Sequence, residues 1–262
     1  MMAQVMNGLF LYFILLGFLM WTESVERIQE GRTMVARARM LRAEAEAKAL
    51  RAQFSPHFVF NALHSMILLI RADPDAAERS VEDMAALIRY GSVLQKRASE
   101  TVPLAVEAGV AQRYLALEKM RLGDRLECHL EIEPGLDGLA VPALTLQTLL
   151  ENAVKHGIAP LEEGGSIGLS VAAEGEDLVI RVSDDGAGAD PSAIGGEESG
   201  LHLLARRLDS IYGERDGAGA GRASLRWETS PKAGFTATVR LPREPAEPME
   251  FAPLHPERSV VS

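Results

Sequence analysis

A proline beside a histidine interrupts a long helix-forming segment, and this feature constrains the fold more than any other. The segment, residues 52–63, reads Ala-Gln-Phe-Ser-Pro-His-Phe-Val-Phe-Asn-Ala-Leu. A proline inside a helix removes a backbone hydrogen bond and costs about 3 kcal/mol, so Pro56 predicts a bend next to His57. Phe58 and Leu63 can share a core-facing stripe, which leaves His57 free to face solvent or a partner. A lone histidine is more often only a polar residue on a solvated face, so the rest of the chain has to decide between the two interpretations.

The composition excludes several classes of function. The chain has 262 residues, a formal net charge of −10 and no long block of Lys or Arg. Direct binding to nucleic acid is therefore disfavoured. Cys128 is the single cysteine, which excludes an intramolecular disulfide framework and a cysteine-based metal cluster.

An apolar run at the N-terminus predicts a membrane anchor. Residues 1–22 carry no charge, and those 22 residues are enough to cross a bilayer core of about 30 Å. Five arginines follow the run between residues 27 and 42, and no basic side chain precedes it. The positive-inside rule then predicts a single-pass protein of the inner (cytoplasmic) membrane, in contact with lipid through this helix, with its bulk in the cytoplasm. The alternative is a buried or partner-packing helix, because the strictly apolar run, residues 9–21, has only 13 residues.

The next segments predict a helical stalk and a helical hairpin. Residues 23–50 contain no proline and are rich in Ala, Glu, Arg, Met and Leu, which favours a continuous helix. Residues 51–100 indicate two amphipathic helices joined by the Asp-Pro-Asp turn at 73–75. A lone hairpin cannot bury both apolar stripes, so two copies are expected to form a four-helix bundle, a homodimer, with His57 exposed on its flank. The inward face of the second helix is predicted to carry Val81, Met84, Ala85, Ile88 and Val93.

From residue 101 the pattern changes from helix alone to helices mixed with alternating, strand-like runs. The order of elements predicts an α+β sandwich over residues 101–243, with an antiparallel sheet covered by helices on one face. Residues 244–262 are rich in proline and lack apolar periodicity, which favours a flexible tail. Strands are predicted at 125–133, 167–173, 178–183, 224–229 and 235–241, and helices at 107–120, 143–156 and 200–212.

The first of three polar islands in this unit lies at the end of a predicted helix. Glu151, Asn152 and Lys155 fall on neighbouring turns, so a carboxylate, an amide and an ammonium can face one pocket. Carboxylate and amide oxygens suit Mg²⁺, and an ammonium suits phosphate. Asn152 is accordingly the candidate metal ligand.

The second and third islands predict a turn and an anion site. Asp184 and Asp185 end a predicted strand, and Gly186 and Gly188 follow, so a ligand can approach the backbone closely. Asp184 could accept a hydrogen bond from an exocyclic amine such as that of adenine. Glycines within residues 195–200 open a helix whose N-terminus is suited to an anion.

At these residues the chain resembles the LytS/YehU-like sensor histidine kinases. Their phosphoacceptor segment reads Gln-x-x-Pro-His-Phe-aliphatic-Phe-Asn, and residues 53–61 fill that pattern. The similarity continues through residues 102–104, 151–157 and 184–188. It covers about residues 45–243 in all.

The resemblance implies a GHKL-type ATP-binding domain, the fold shared with gyrase and MutL, over residues 101–243. It implies that the domain phosphorylates His57 of the dimer from ATP with Mg²⁺. It further implies that the phosphoryl group passes to an aspartate of a response regulator, one of the LytTR DNA-binding type. The residues expected to bind ATP are Asn152, Lys155, Asp184, Gly186, Gly188, Gly200 and Leu201.

The base that orients the histidine has to be sought elsewhere in the chain. Many histidine kinases place an acidic residue directly after the histidine, whereas Phe58 follows His57 here. Glu151 is the candidate for this role because it is the acidic residue of the first island.

Three residues depart from the family pattern and leave other functions open. Asp185 stands where family members usually carry Asn, and Glu198 and Leu203 replace a Gly and an Asn of the third island. The alternative function is a catalytically impaired pseudokinase that acts as a dimeric scaffold or a phosphotransfer relay. A third interpretation, an ATPase that drives a conformational clamp, gives the Pro-His segment no role.

Overall fold

The predicted hairpin and ATP-binding unit fall largely within the described part of the chain. The predicted anchor (1–22) and stalk (23–50) lie outside it, and only the backbone of Pro56 and His57 is described. No helix in the described part is both long and apolar enough to cross a bilayer. The computed structural model describes residues 56–94, 97, 99–189, 199–213, 222–230 and 233–249.

Two helices form the predicted hairpin. Helix α1 spans Pro56–Ala72 and helix α2 spans Pro74–Leu94, with Asp73 between them. The side chain of Asp73 accepts a hydrogen bond of 2.9 Å from the backbone N–H of Ala76, as an N-terminal helix cap does. Proline suits the first position of a helix because its missing N–H has no partner to lose there.

A third helix covers the inner side of this hairpin. Helix α3, Leu104–Leu122, packs along α2 and also contacts α1. Arg113 of α3 lies 3.9 Å from Asp83 of α2, and both side chains are buried. The residues that α1 and α2 bury include Phe58, Ala62, Met66, Ala77, Met84, Leu87 and Tyr90.

The predicted inward face of α2 is not the side that meets α3. Met84 is buried, but Val81, Ala85, Ile88 and Val93 are exposed. Apolar residues occur on both sides of this helix, and periodicity alone could not tell which side meets α3. The side that meets α3 instead carries Ser80, Asp83 and Tyr90. Their polar partners on α3 are Met120, Arg113 and Glu107, respectively.

A five-stranded sheet follows, built from β2 (Leu126–Ile132), β4 (Gly165–Glu174), β5 (Asp177–Asp184), β6 (Ser224–Thr229) and β7 (Phe235–Pro242). Its strand order is β2-β4-β5-β7-β6. Alternate residues of β4 and β7 are buried, and the residues between them are mostly half-buried, so one face of the sheet carries the core. Helix α4 is Thr145–Asn152 and helix α5 is Gly200–Tyr212.

The sheet is mixed, which corrects the antiparallel sheet expected from the sequence. Strands β2 and β4 pair in parallel, while the other three pairs are antiparallel. A parallel pair needs a long crossover, and here α4 lies between the two strands in the chain.

A small second sheet joins the start and the end of the unit. Strand β1 (Thr101–Pro103) pairs antiparallel with β3 (Ala140–Pro142). The backbone N–H of Ala140 donates to the Glu244 carbonyl at 2.7 Å, and that of Ala246 donates to the Gly138 carbonyl at 2.9 Å. Residues 244–246, which the sequence assigned to a flexible tail, are therefore hydrogen-bonded to the fold.

Candidate functional site

The first polar island lies where α4 changes its winding. Residues Ala153–Ile158 continue α4 as a π-helical segment, a widened turn that is frequent at functional sites. Glu151 and Asn152, the last residues of α4, are half-buried, whereas Lys155 is exposed. A half-buried carboxylate and amide thus lie next to an exposed ammonium.

The turn after β5 packs directly against this π-helical segment. The N–H of Ala187 donates to the Gly157 carbonyl at 3.1 Å. A Cβ on Gly186 would lie 2.4 Å from the carbonyl carbon and oxygen of Gly157, so only glycine permits the approach. The structure therefore brings the first and second islands into contact.

Asp184 is the buried carboxylate of this contact. Its Oδ1 accepts a hydrogen bond of 3.0 Å from the N–H of Gly186. Its Oδ2 is buried and has no hydrogen-bond partner within the described part of the chain. The side chain is 8% exposed, and burial raises its pKa to about 6. A buried acceptor without a donor is costly unless a ligand supplies one, so Oδ2 is the candidate acceptor for a ligand.

Asp185, one residue later, is in a different situation. It is exposed, and it accepts hydrogen bonds from the N–H of Ser166 at 2.7 Å and from the Ser166 hydroxyl at 2.8 Å. The carboxylate that replaces the usual family Asn is thus engaged by the start of β4.

Gly188 has a packing role. Its φ is 60°, and a Cβ there would lie 2.1 Å from the Ser230 carbonyl oxygen. The next residue, Ala189, donates its N–H to the Thr229 hydroxyl at 3.0 Å. Gly188 therefore lets the loop after β5 pack against the turn between β6 and β7.

The start of α5, the described part of the third island, packs near α4. Ser199 caps the helix by accepting from the N–H of His202 at 3.3 Å. A Cβ on Gly200 would lie 3.3 Å from Cγ2 of Thr148 on α4. Leu201 is buried and Leu203 is exposed, while Glu198 lies outside the described residues.

The residue after His57 joins α1 to α3. The ring of Phe58 lies 5.2 Å from that of Tyr114, between centroids. Burial is the main cause that raises the pKa of Tyr114, and the charges of Glu118 and Glu151 raise it further. The turn of α1 that holds His57 is thus anchored on α3 next to two carboxylates.

The surroundings of Glu151 raise the pKa of its carboxyl group. Burial raises its pKa, the charge of Lys155 lowers it, and the charge of Glu118 raises it. Glu118 itself is buried and accepts from Nε of Arg121 at 2.8 Å. Sequence analysis assigned no role to Tyr114 or Glu118, although they are four residues, about one turn, apart on α3 and therefore share a face of that helix.

The donor set for a metal is small. No group of three or more His, Cys, Asp or Glu side chains able to hold a metal occurs among the described residues. The half-buried Asn152 amide remains as a possible ligand, which suits Mg²⁺ because that ion usually keeps several waters and binds substrate phosphates.

Comparison with protein families gives the class of the chain. Residues 45–126 match the histidine kinase family, and residues 142–245 match the family of histidine kinase-, DNA gyrase B-, and HSP90-like ATPases. Together with the mixed sheet and its helices, these matches show a histidine kinase segment followed by a GHKL-type ATP-binding domain. Over these residues the chain is similar to the LytS-like sensor histidine kinases.

Curated relatives carry the corresponding names. The chain is 32% identical over 206 residues to the sensor histidine kinase BtsS of Escherichia coli (strain K12), which covers 79% of this chain and 35% of that protein. It is 34% identical over 191 residues to the sensor histidine kinase YpdA of the same strain, covering 69% and 33%. It is 30% identical over 210 residues to the sensor protein LytS of Staphylococcus haemolyticus (strain JCSC1435), covering 76% and 34%. The chain thus spans about a third of the length of these relatives.

Proposed function

We propose that the protein is a membrane-anchored sensor histidine kinase that phosphorylates His57 from ATP. The observation that carries this proposal is the buried, unpartnered Oδ2 of Asp184 beside the π-helical segment of α4. That oxygen can accept a hydrogen bond from the exocyclic amine of adenine, which is a donor at the edge of a flat ring. The family matches over both segments support the same reaction.

The remaining contacts to the nucleotide follow from the position of adenine on Asp184. Gly186 and Gly157 let the turn after β5 and the Asp184 carboxylate pack directly against the π-helical segment, which holds Asp184 in place for the ring. The exposed ammonium of Lys155 and the N-terminal amides of α5 at Gly200 and Leu201 are suited to screen phosphate charge. Asn152 would hold Mg²⁺, which supplies charge neutralisation on the phosphates when bound.

The transfer itself moves one phosphoryl group. The bond between the γ-phosphorus and the β–γ bridging oxygen breaks, a P–N bond forms with a ring nitrogen of His57, and ADP leaves. Such transfers depend mostly on positioning and electrostatics, so the Phe58–Tyr114 contact supports the reaction by fixing the backbone beside His57.

Glu151 is the proposed base that takes or orients the ring proton of His57. Burial raises its pKa, Lys155 lowers it and Glu118 raises it, and a raised pKa makes a carboxylate a better proton acceptor. Glu151→Gln should keep ATP binding and lower the autophosphorylation rate by about 100-fold, the usual contribution of general base catalysis. Wild-type rates of autophosphorylation in this variant, measured at saturating ATP, would rule the assignment out.

A homodimer is the proposed assembly, through the outer face of the hairpin. That face remains apolar and exposed after α3 has covered the inner one: Phe60 is 73% and Ile67 is 64% exposed. An apolar stripe of this kind on two antiparallel helices is suited to pair with a second copy. The other exposed apolar residues of the hairpin are Leu63, Leu68, Ile70, Val81, Ile88 and Val93.

Ile67→Asp should dissociate this dimer, because it would place a charge in the apolar interface. We expect the dissociation constant to rise by at least about 100-fold, as for burial of an unpaired charge. Analytical ultracentrifugation of the full chain in detergent measures it. Leu203→Asp, on α5 and similarly exposed, is the matched control and should remain dimeric. Equal dimerisation of both variants would contradict the proposed interface.

The membrane anchor and the downstream partner complete the proposal. Residues 1–22 are proposed to hold the protein in the inner membrane through lipid contact, with the catalytic part in the cytoplasm, as their charge-free sequence favours. The phosphoryl group on His57 is proposed to pass to an aspartate of a LytTR-type response regulator. Failure of purified regulator to take label from the phosphorylated chain would contradict that partner.

The alternative is a pseudokinase that acts as a dimeric scaffold or a phosphotransfer relay. It rests on the departures at Asp185, Glu198 and Leu203. Asp185 accepts two hydrogen bonds from Ser166, and Leu203 is exposed. Neither substitution therefore leaves a buried group without a partner, which favours the active enzyme. The alternative predicts no ATP binding by titration calorimetry, and the active enzyme predicts binding.

A further inference from the structure

A buried hydrogen-bond network joins the hairpin to the start of the nucleotide-binding helix. Its centre is Glu107 on α3, which has 0% exposed surface. Its Oε1 accepts from the Tyr90 hydroxyl and, at 2.7 Å, from the N–H of Leu144. Its Oε2 accepts from the N–H of Leu146 at 2.9 Å. One carboxylate therefore bonds α2 and the beginning of α4 at the same time.

The start of α4 depends on this carboxylate. The first N–H groups of a helix have no partner inside it, and Leu144, the residue before α4, makes no side-chain cap. Leu144 also has a φ of 67°, the only left-handed conformation of a non-glycine residue in the described part of the chain. Glu107 supplies the missing acceptors, and its negative charge suits the positive end of the helix dipole.

Helix α5 meets the same place. Arg207 donates a hydrogen bond from Nη1 to the Ala143 carbonyl, next to Leu144. Its charge also acts on Glu107 and opposes the effect of burial, which raises the pKa of that carboxyl. Burial and the charge of Glu107 raise the pKa of Tyr90, so its hydroxyl keeps its proton and remains a donor.

The distance from this network to the nucleotide site is short. Helix α4 has eight residues, and at 1.5 Å per residue Leu146 lies about 9 Å along the helix from Asn152. A short helix moves as one body, so a shift at its N-terminus is carried to its C-terminal end. No loop has to relay the movement.

We propose that Glu107 is a positioning residue for the nucleotide site and that its bond to Tyr90 couples this site to the hairpin. The proposal rests on the proposed function, since it concerns the nucleotide site of the same domain. Coupling of two sites is reciprocal: if the position of α2 changes the affinity for nucleotide, nucleotide also stabilises α2 against local opening.

Hydrogen exchange of the full chain, with and without ADP and Mg²⁺, tests this coupling. In wild type we expect nucleotide to slow exchange in the last turns of α2, residues 84–94, which do not belong to the site. Tyr90→Phe keeps the ring and removes only the hydroxyl. Its dissociation constant for ADP should stay within about threefold of wild type. The factor by which ADP slows exchange in α2 should be about tenfold smaller than in wild type, as expected for the loss of one hydrogen bond to a charged group.

Two other variants complete the test. Tyr212→Phe is the matched control, because it removes a buried hydroxyl that has no hydrogen-bond partner in the described part, and it should behave as wild type. Glu107→Gln turns one oxygen into a donor that faces a backbone N–H, so it should weaken both ADP binding and the slowing on α2.

A kinetic readout on the same variants separates coupling from a general structural defect. Coupling predicts that Tyr90→Phe lowers kcat of autophosphorylation about tenfold while KM for ATP changes less than about threefold. The proposal would be overturned if ADP slowed hydrogen exchange in α2 equally in Tyr90→Phe and wild type and if the two had the same kcat. Absence of ADP binding in wild type would overturn the proposed function instead, so the two failures are distinguishable.

Discussion

Replacing Asp184 by Asn lowers ATP affinity by about 10- to 100-fold. A hydrogen bond to a charged acceptor contributes about 1.5–3 kcal/mol, and the Asn amide also presents a donor where adenine needs an acceptor. Titration calorimetry of the full chain with an ATP analogue that cannot be hydrolysed measures the change. Autophosphorylation should fall at fixed, subsaturating ATP for the same reason.

The pH dependence of binding provides a second signature of Asp184. Its pKa is raised to about 6, mainly by burial, and only the ionised carboxylate can accept both the Gly186 and the adenine hydrogen bonds. ATP affinity should therefore fall as pH decreases through about 6 in wild type. This dependence should be absent in Asp184→Asn.

The sign is opposite for the stability of the free protein. A folded-state pKa raised above the ordinary value of 3.8 means that the folded chain binds this proton more tightly than the unfolded chain does. The stabilising contribution of Asp184 is therefore fully present below pH 3.8 and is lost as pH rises through about 6.

Asp185→Asn is the matched control for Asp184→Asn. Asp185 is exposed and bonded to Ser166, and the family usually carries Asn at this position. ATP affinity should stay within about twofold of wild type, as for most exposed substitutions. If the two variants lost affinity equally, the special role of the buried carboxylate would be refuted.

The sequence predicted the elements of the ATP-binding unit more accurately than their arrangement. Helix 200–212 and strand 224–229 have the predicted bounds, because a serine cap and glycine begin the helix and alternation marks the strand. The parallel pairing of β2 with β4 was missed. Strand partners far apart in the chain leave no local signal, and the crossover that decides between parallel and antiparallel is itself long-range.

The residues of the site were predicted in part. Glycines and acidic residues in the islands pointed to Asp184 and Asn152, and the structure brings their segments together through Gly157 and Ala187. The widened turn at 153–158 was not predicted, because a π-helical segment has no distinct pattern of apolar residues.

The polar network at Glu107 was also missed. Tyr90 and Glu107 are ordinary residues for amphipathic helices, and their partners, the N–H groups of Leu144 and Leu146, are backbone atoms. Neither residue type nor spacing marks such a contact. It becomes visible only when α2, α3 and α4 are packed together.

His57→Gln should abolish labelling of the protein, the largest effect expected of any single substitution. The side chain supplies the nitrogen to which the phosphoryl group is bound, so no residual reaction at this position is possible. His64→Gln is the matched control, because His64 is exposed on the same helix and two turns further along.

Incubation of the full chain with γ-labelled ATP and Mg²⁺, beside these two variants, tests the central claim most directly. We predict an acid-labile, base-stable label on wild type and His64→Gln, and none on His57→Gln. Label that persists in His57→Gln, or a wild-type chain that takes no label and binds no ATP, would contradict the assignment of a kinase that phosphorylates His57.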